Sequence, residues 1–200
     1  MFKNSFTICV DMDDTIENLL PAWVNWLNGR YDLDVQVEDC RSWNMGDNYP
    51  MLTESQIVEP LSTKRFWDSV QPKSDAQYYI NKLVQEHQDV YIVTASHYGT
   101  VGYKMRALIE KFFPAIDWRH IIISSNKQML KCDVMVDDGP HNLIDGDYHK
   151  LLFSTVTNES FDAERHKIKR VHNWEQIYAY LEDLDWFYHL YDLQTVNNLK

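Results

Sequence analysis

The sequence predicts an α/β fold: a parallel sheet covered by helices on both faces, with a small helical lobe inserted after the first strand. Short apolar runs alternate with helix-periodic stretches from residue 74 onward, and those runs are apolar throughout, as strands buried on both faces are. Residues 16–73 interrupt the rhythm, and an insertion is the economical account of the break.

The first run, Phe6 to Val10 (Phe-Thr-Ile-Cys-Val), is short and β-rich and ends abruptly in Asp11-Met12-Asp13-Asp14. A helical stretch, Leu19 to Leu27, ends near Gly29, and short segments containing Trp43, Phe66 and Trp67 follow. We expect residues 1–15 and 74–200 to form the core, and residues 16–73 the inserted cap. From Ser74 a helix places Ala76, Tyr79, Ile80, Leu83 and Val84 on one face, opened by the capping-box spacing Ser74-x-x-Gln77. Strand Val90 to Val93 follows. A second helix carries Val101, Met105, Leu108, Ile109 and Phe112 on one face and stops at Pro114. Strands Ile121 to Ile123, Val134 to Val136 and Leu151 to Phe153 come next, then a helix from about Asn173 with Ile177, Leu181 and Leu184 on one side.

Composition excludes several classes of function. The 200 residues, 44% apolar, suffice for one domain with a lobe inserted into it. A formal charge of −11 with no basic run disfavours a nucleic-acid polymer as partner. No stretch approaches the ~20 consecutive apolar residues of a membrane span, and Met1-Phe2-Lys3-Asn4-Ser5 does not open a signal peptide, so a cytoplasmic setting is expected. Cys9, Cys40 and Cys132 form an odd, scattered set with no Cys-x-x-Cys pair, which excludes a disulfide scaffold and argues against structural zinc. The histidines show no metal-ligand spacing. A Gly-x-x-x-x-Gly-Lys loop is absent, which removes the P-loop ATPases.

Three strands end in polar residues of complementary chemistry: Asp11-x-Asp13-Asp14-Thr15, then Thr94-Ala95-Ser96, then Asp137-Asp138. Ligands of an open α/β sheet bind outside the carboxyl ends of its strands, so these residues are expected in one crevice. Carboxylates converging there repel one another, and a hard divalent cation such as Mg²⁺ relieves this by taking oxygen ligands. Lys127, ten residues before Asp137, lies between two strands within reach of the same edge. Carboxylates, metal, hydroxyl and ammonium together make a phosphate site. Each element alone has a plainer reading, as a turn former, a helix cap or a surface charge; it is their conjunction that points to chemistry.

The motifs Asp11-Met12-Asp13-Asp14-Thr15, Thr94, Lys127 and Asp137-Asp138 resemble, in chain order, the four motifs of the haloacid dehalogenase superfamily. Ile-Val-Thr-Ala-Ser, Glu110-Lys111-Phe112-Phe113, Ser125-Asn126-Lys127 and Val-Asp137-Asp138-Gly-Pro140 are similar to the 5'(3')-deoxyribonucleotidase family within it. The likeness spans about residues 6–145. It implies a Rossmann-like core with a cap, and a cytosolic Mg²⁺-dependent phosphatase of nucleoside monophosphates acting through an aspartyl-phosphate. Carried over residue by residue, it makes Asp11 the nucleophile and Asp13 the acid/base. Mg²⁺ is then held by Asp11, the Asp13 main-chain carbonyl and Asp137, with Asp138 direct or through water. Thr94, Ala95, Ser96 and Lys127 hold the phosphoryl oxygens. Asp14 stands where the animal enzymes usually have Gly, and Ala95-Ser96-His97 where they have Ser-Pro; the second departure lies where substrate is gripped.

The expected ligand is a small nucleotide, with no nucleic-acid polymer and no membrane; a homodimer is left open. Trp23, Trp43 and Trp67 in the aromatic insert are the candidates for base and sugar binding, although most such rings pack a cap core. Three alternatives stand beside this reading: a phosphatase of another small monoester, a receiver-like phospho-acceptor module, and a non-catalytic nucleotide binder. Asp13 separates the second, because a receiver has no acid/base two residues beyond its phosphorylated Asp.

Overall fold

The structure, a computed structural model, describes residues 2–197, with side chains through Tyr191. Six parallel strands lie in the order β3-β2-β1-β4-β5-β6. They are β1 (Thr7–Asp11), β2 (Asp89–Thr94), β3 (Ile121–Ile123), β4 (Val134–Asp137), β5 (His149–Phe153) and β6 (Lys169–Val171). From β1 the chain runs outward through β2 to β3, then returns to the other side of β1 to lay down β4. The reversal opens a crevice at the carboxyl ends of β1 and β4.

Strand pleating divides the core in two. Ile8 and Val10 of β1, Val134 and Val136 of β4, and Leu151 and Phe153 of β5 enter one cluster, while Cys9, Met135 and Leu152 point to the other face and another cluster. The first face is covered by α5 (Ala76–Gln85) and α9 (Trp174–Asn197), through Ile80, Leu83, Trp174, Ile177 and Leu181. Asn173 caps α9, its side chain accepting from Gln176 N–H at 2.9 Å. The Asp185 carboxylate then ties α9 to the start of the chain by accepting the Lys3 and Asn4 amides. Among the described residues no helix is long and apolar enough to cross a membrane.

Between β1 and α5 lie α1 (Leu19–Tyr31), α2 (Met45–Asn48), α3 (Glu54–Val58) and α4 (Lys64–Trp67). Leu20, Val24, Leu27, Met45, Tyr49 and Ile57 form a separate apolar cluster, and Glu17 bridges Pro72 where the chain leaves and re-enters this region. Phe66 and Trp67, by contrast, pack into the main core.

Several local expectations are corrected. The Ser74-x-x-Gln77 capping box does not form: α5 starts at Ala76, and the carboxylate of the preceding Asp75 accepts the Trp174 amide instead, at 2.9 Å. Helix α1 runs through Gly29 to Tyr31 and ends at Asp32, whose left-handed φ of 54° closes it. The helix expected over 101–112 is interrupted, with α6 (Val101–Lys104) and α7 (Glu110–Phe112) joined by a π-helical turn, Met105–Ile109. Strand β6 is an edge strand of three residues, Lys-Arg-Val, too short and charged to read as a buried strand.

Candidate active site

The carboxyl edge of the sheet brings two buried lysines against the acidic strand ends. Asp11 closes β1 and Asp137 closes β4, so the parallel register sets their side chains beside each other across the crevice. Lys127, on a 3₁₀ turn (Lys127–Met129) and 1% exposed, donates to Asp11 Oδ1 and, at 2.7 Å, to Asp137 Oδ2. The other Asp137 oxygen accepts from Gly139 N at 2.7 Å and Asn142 Nδ2 at 3.0 Å. A Cβ at residue 139 would fall 3.1 Å from Asp137 Oδ1 and 2.8 Å from the His141 ring, so a larger residue here would displace the His141 side chain and crowd the Asp137 carboxylate.

Burial is the largest influence on Asp11, pushing its pKa up to about 7 against the pull of Lys127. Burial opposes the charge on Lys127, but Asp11 and Asp137 outweigh it and hold the ammonium protonated. Asp138, 7% exposed, is pushed well above the usual carboxylate range by burial and by the charges of Asp11 and Asp137. Asp11, Asp137 and Asp138 each offer an oxygen within 4.8 Å of the others. Three buried carboxylates brought this close together fit a hard divalent cation by their donor chemistry.

The second lysine was not anticipated. Lys104 ends α6, 1% exposed, and its ammonium donates to Asp13 Oδ1, to Thr94 Oγ1 at 2.9 Å and to Ser96 Oγ at 3.1 Å. Trp67 lies beneath it, ring centroid 5.3 Å away. The π-turn begins at the next residue, a distortion that recurs at functional sites. A signal was available: Lys104 falls on the helix face of Val101, Met105 and Leu108, where a cation is out of place. Glu17, fully buried, was also missed. Neither of its oxygens has a hydrogen-bond partner; burial and then the charge of Asp13 raise its pKa well above normal. Burial works to raise Asp13 as well, but Lys104 and Glu17 together prevail and leave it lowered.

Of the residues expected to form the site, Asp11, Asp13, Thr94, Ser96, Lys127, Asp137 and Asp138 converge on the crevice. Ala95 lies exposed beyond β2. Trp23 and Trp43 line a cleft of about 630 Å³ between the lobe and Asp13, Asp14 and Asp138. Trp43 is 66% exposed and meets the His141 ring edge-on at 5.1 Å, while the Trp23 indole donates to Ile57 O at 2.7 Å. Trp67 does not reach that cleft. It is 4% exposed, its indole donates to Leu61 O at 2.8 Å, and it supports Lys104 from within the core.

Asp14 has a structural task. Its φ is 53°, a region that Asp tolerates, and both oxygens accept the Leu20 amide at the start of α1, at 3.0 and 3.1 Å. Burial, opposed by Lys73, raises its pKa from 3.8 to about 6. The native state therefore holds this proton more tightly than the unfolded chain does. The resulting stability is fully present below pH 3.8 and is lost as the pH rises through about 6. Asn at this position keeps an acceptor for Leu20 and tolerates the same φ. Asp14→Asn should raise stability by about 1 kcal/mol at pH 8, after allowance for solvent screening, and by much less at pH 4.5, as read by urea denaturation at both values.

The family model for 5' nucleotidase, deoxy (pyrimidine), cytosolic type C proteins matches residues 4–184. A 5'(3')-deoxyribonucleotidase from Bacillus subtilis strain 168 is 29% identical over 172 residues, covering 85% of this chain and 95% of that relative; one from Bacillus phage SPbeta matches to the same extent. Among solved structures, a haloacid dehalogenase-like family hydrolase from Streptococcus pneumoniae superposes with a TM-score of 0.64 at 14% identity, over 88% of this chain and 98% of the other. A hydrolase of the same superfamily from Deinococcus radiodurans gives 0.63 at 13% identity, over 88% and 95%. The six-stranded parallel sheet is thus the haloacid dehalogenase fold, and the chain belongs to the family of 5' nucleotidase, deoxy (pyrimidine), cytosolic type C proteins.

Proposed function

We propose that this phosphoric monoester hydrolase removes phosphate from deoxyribo- and ribonucleoside monophosphates in the cytosol, with Mg²⁺ and through an aspartyl-phosphate. The observation that carries the reading is the pairing of each candidate catalytic carboxylate with a buried lysine, Asp11 with Lys127 and Asp13 with Lys104, Asp13 also lining the cap cleft. Phosphoryl transfer depends on in-line positioning and on neutralising the phosphoryl oxygens. Asp11 attacks phosphorus. Lys127, Thr94 and Ser96 take phosphoryl oxygens, Lys104 adding the charge behind the two hydroxyls. Asp11, Asp137, Asp138 and the Asp13 carbonyl would hold Mg²⁺, which when bound supplies further charge neutralisation.

Asp13 protonates the leaving oxygen and then takes a proton from water. Lys104 alone would keep it ionised and a poor acid. Glu17, buried beside it with a pKa raised well above normal, is the group from which Asp13 would draw the proton it delivers.

Trp23 and Trp43 give the cleft two aromatic walls, and one base stacked there gains roughly 1–3 kcal/mol. Remote binding energy can be realised at the reacting phosphorus, so nucleoside monophosphates should exceed glycerol phosphate in kcat/KM by about 10-fold or more. The test is phosphate release from deoxy- and ribonucleotides, sugar phosphates and phosphoglycolate, with Mg²⁺ and with EDTA. Turnover by nucleotides that EDTA removes is the expected result. If a non-nucleotide phosphate wins, the cap does not bind a base; if activity survives full chelation, the metal role of the aspartates is wrong.

A further inference from the structure

The pairing of β4 with β5 stops at Asp137 opposite Leu152, and the two chains run on past it as Asp138 and Phe153. One side chain takes over from the ladder there. The Asn158 amide, 3% exposed, donates through Nδ2 to Asp138 O at 2.8 Å and to Phe153 O at 2.7 Å, so it ties the two strand ends together. Its Oδ1 accepts from Thr155 N at 3.2 Å and from Arg170 Nη1 at 2.8 Å, which engages all four hydrogen-bonding positions of the amide. Arg170 comes from β6, and its fork closes on four neutral oxygens: Asn158 Oδ1, Ser154 Oγ at 3.2 Å, Asn158 O at 3.1 Å and Phe161 O at 2.8 Å. A guanidinium spent on neutral acceptors fixes a geometry rather than balancing a charge.

Asp137 and Asp138 are held in different ways. The Asp137 carboxylate is gripped directly, by Lys127, Gly139 N and Asn142. Asp138 is gripped through its main chain, at the carbonyl that Asn158 binds. A tilt of that peptide swings the carboxylate, and Mg²⁺ accepts little departure from octahedral oxygen geometry. We propose that Asn158 is a positioning residue of the metal site: it holds the Asp138 carboxylate where the cation needs it, and Arg170 holds Asn158 in turn. This role presupposes that Asp138 meets the cation, as in the proposed function, and extends the site to two residues one step removed from it. Removing a group that stands behind a metal ligand weakens metal binding by about 10- to 100-fold.

Asn158→Ala removes the clamp, while Arg170→Lys keeps the charge and loses the fork, so neither substitution alters the net charge near the cation. The whole chain, freed of metal, is titrated with Mg²⁺ by isothermal calorimetry. The dissociation constant should rise about 10-fold in Asn158→Ala and about 3-fold in Arg170→Lys, and the Mg²⁺ concentration for half-maximal phosphatase activity should rise with it. Melting of the metal-free proteins separates this from a purely structural role, which would lower the melting temperature and leave Mg²⁺ affinity alone. An unchanged dissociation constant in either folded variant would overturn the positioning role; should Asn158→Ala not fold, Arg170→Lys decides by itself. A wild-type chain that binds no Mg²⁺ is a different failure, because it overturns the metal assignment of the aspartates and the role of Asn158 with it.

Discussion

Asp11→Asn is expected to abolish turnover, lowering kcat by about 10⁴-fold or more, while the protein stays folded. The amide keeps the shape of the carboxylate but is no nucleophile towards phosphorus. Two features of the site argue that the fold survives. Lys127 retains Asp137 as an ion-pair partner at 2.7 Å, so the substitution does not strand a buried ammonium. Burial also works against the Asp11 charge, which is why its pKa rises to about 7, and a neutral amide relieves that strain. The melting temperature should therefore equal or exceed that of the wild type, and kcat on the best nucleotide is the paired measurement. Turnover near the wild-type rate would move the nucleophile elsewhere. A large fall in melting temperature would mean that Lys127 needs both carboxylates, and Asp11→Ser would then be required to separate chemistry from folding.

The strand ends were legible because a polar residue that closes an apolar run can lie only at a sheet edge. Asp11, Thr94 and Asp137 are placed by that rule alone, and the parallel order β2-β1-β4 then sets them side by side. Lys127 could be guessed only as being within reach, since its burial depends on a 3₁₀ turn that leaves no periodic trace. Lys104 was legible in principle as a cation on an apolar helix face, but the π-turn that follows it shifts the face and blurs the spacing. Glu17 lies in connecting chain, where neither pattern nor motif marks a buried acid. The aromatic insert misled at Trp67, because composition counts rings without saying which of them point inwards. The Ser74-x-x-Gln77 spacing shows the limit of local reading from the other side: no capping box forms, and Asp75 before the helix instead accepts from Trp174, a partner 99 positions away.

Asp13→Asn should slow nucleotide hydrolysis by on the order of 10²-fold or more, and the manner of the slowing identifies its role. The nucleoside oxygen leaves as a strong base and needs a proton, whereas p-nitrophenolate leaves unaided. With an aryl phosphate, the variant should therefore still release a burst of nitrophenolate as Asp11 is phosphorylated, then stall, because no base activates water against the aspartyl-phosphate. With a nucleotide the first step itself should be slow, and no burst should appear. Rapid-quench kinetics, with intact-protein mass spectrometry of the quenched enzyme, read both outcomes. Asp14 cannot stand in for Asp13, since both of its oxygens are engaged by the Leu20 amide. Lys104 would keep its contacts with Thr94 and Ser96 at 2.9 and 3.1 Å, so a general collapse of the phosphate grip is not expected. Equal losses on both substrates, with no covalent phosphate trapped, would instead make Asp13 a support for Lys104 rather than an acid/base. Near-normal hydrolysis of both would move the acid/base to another residue.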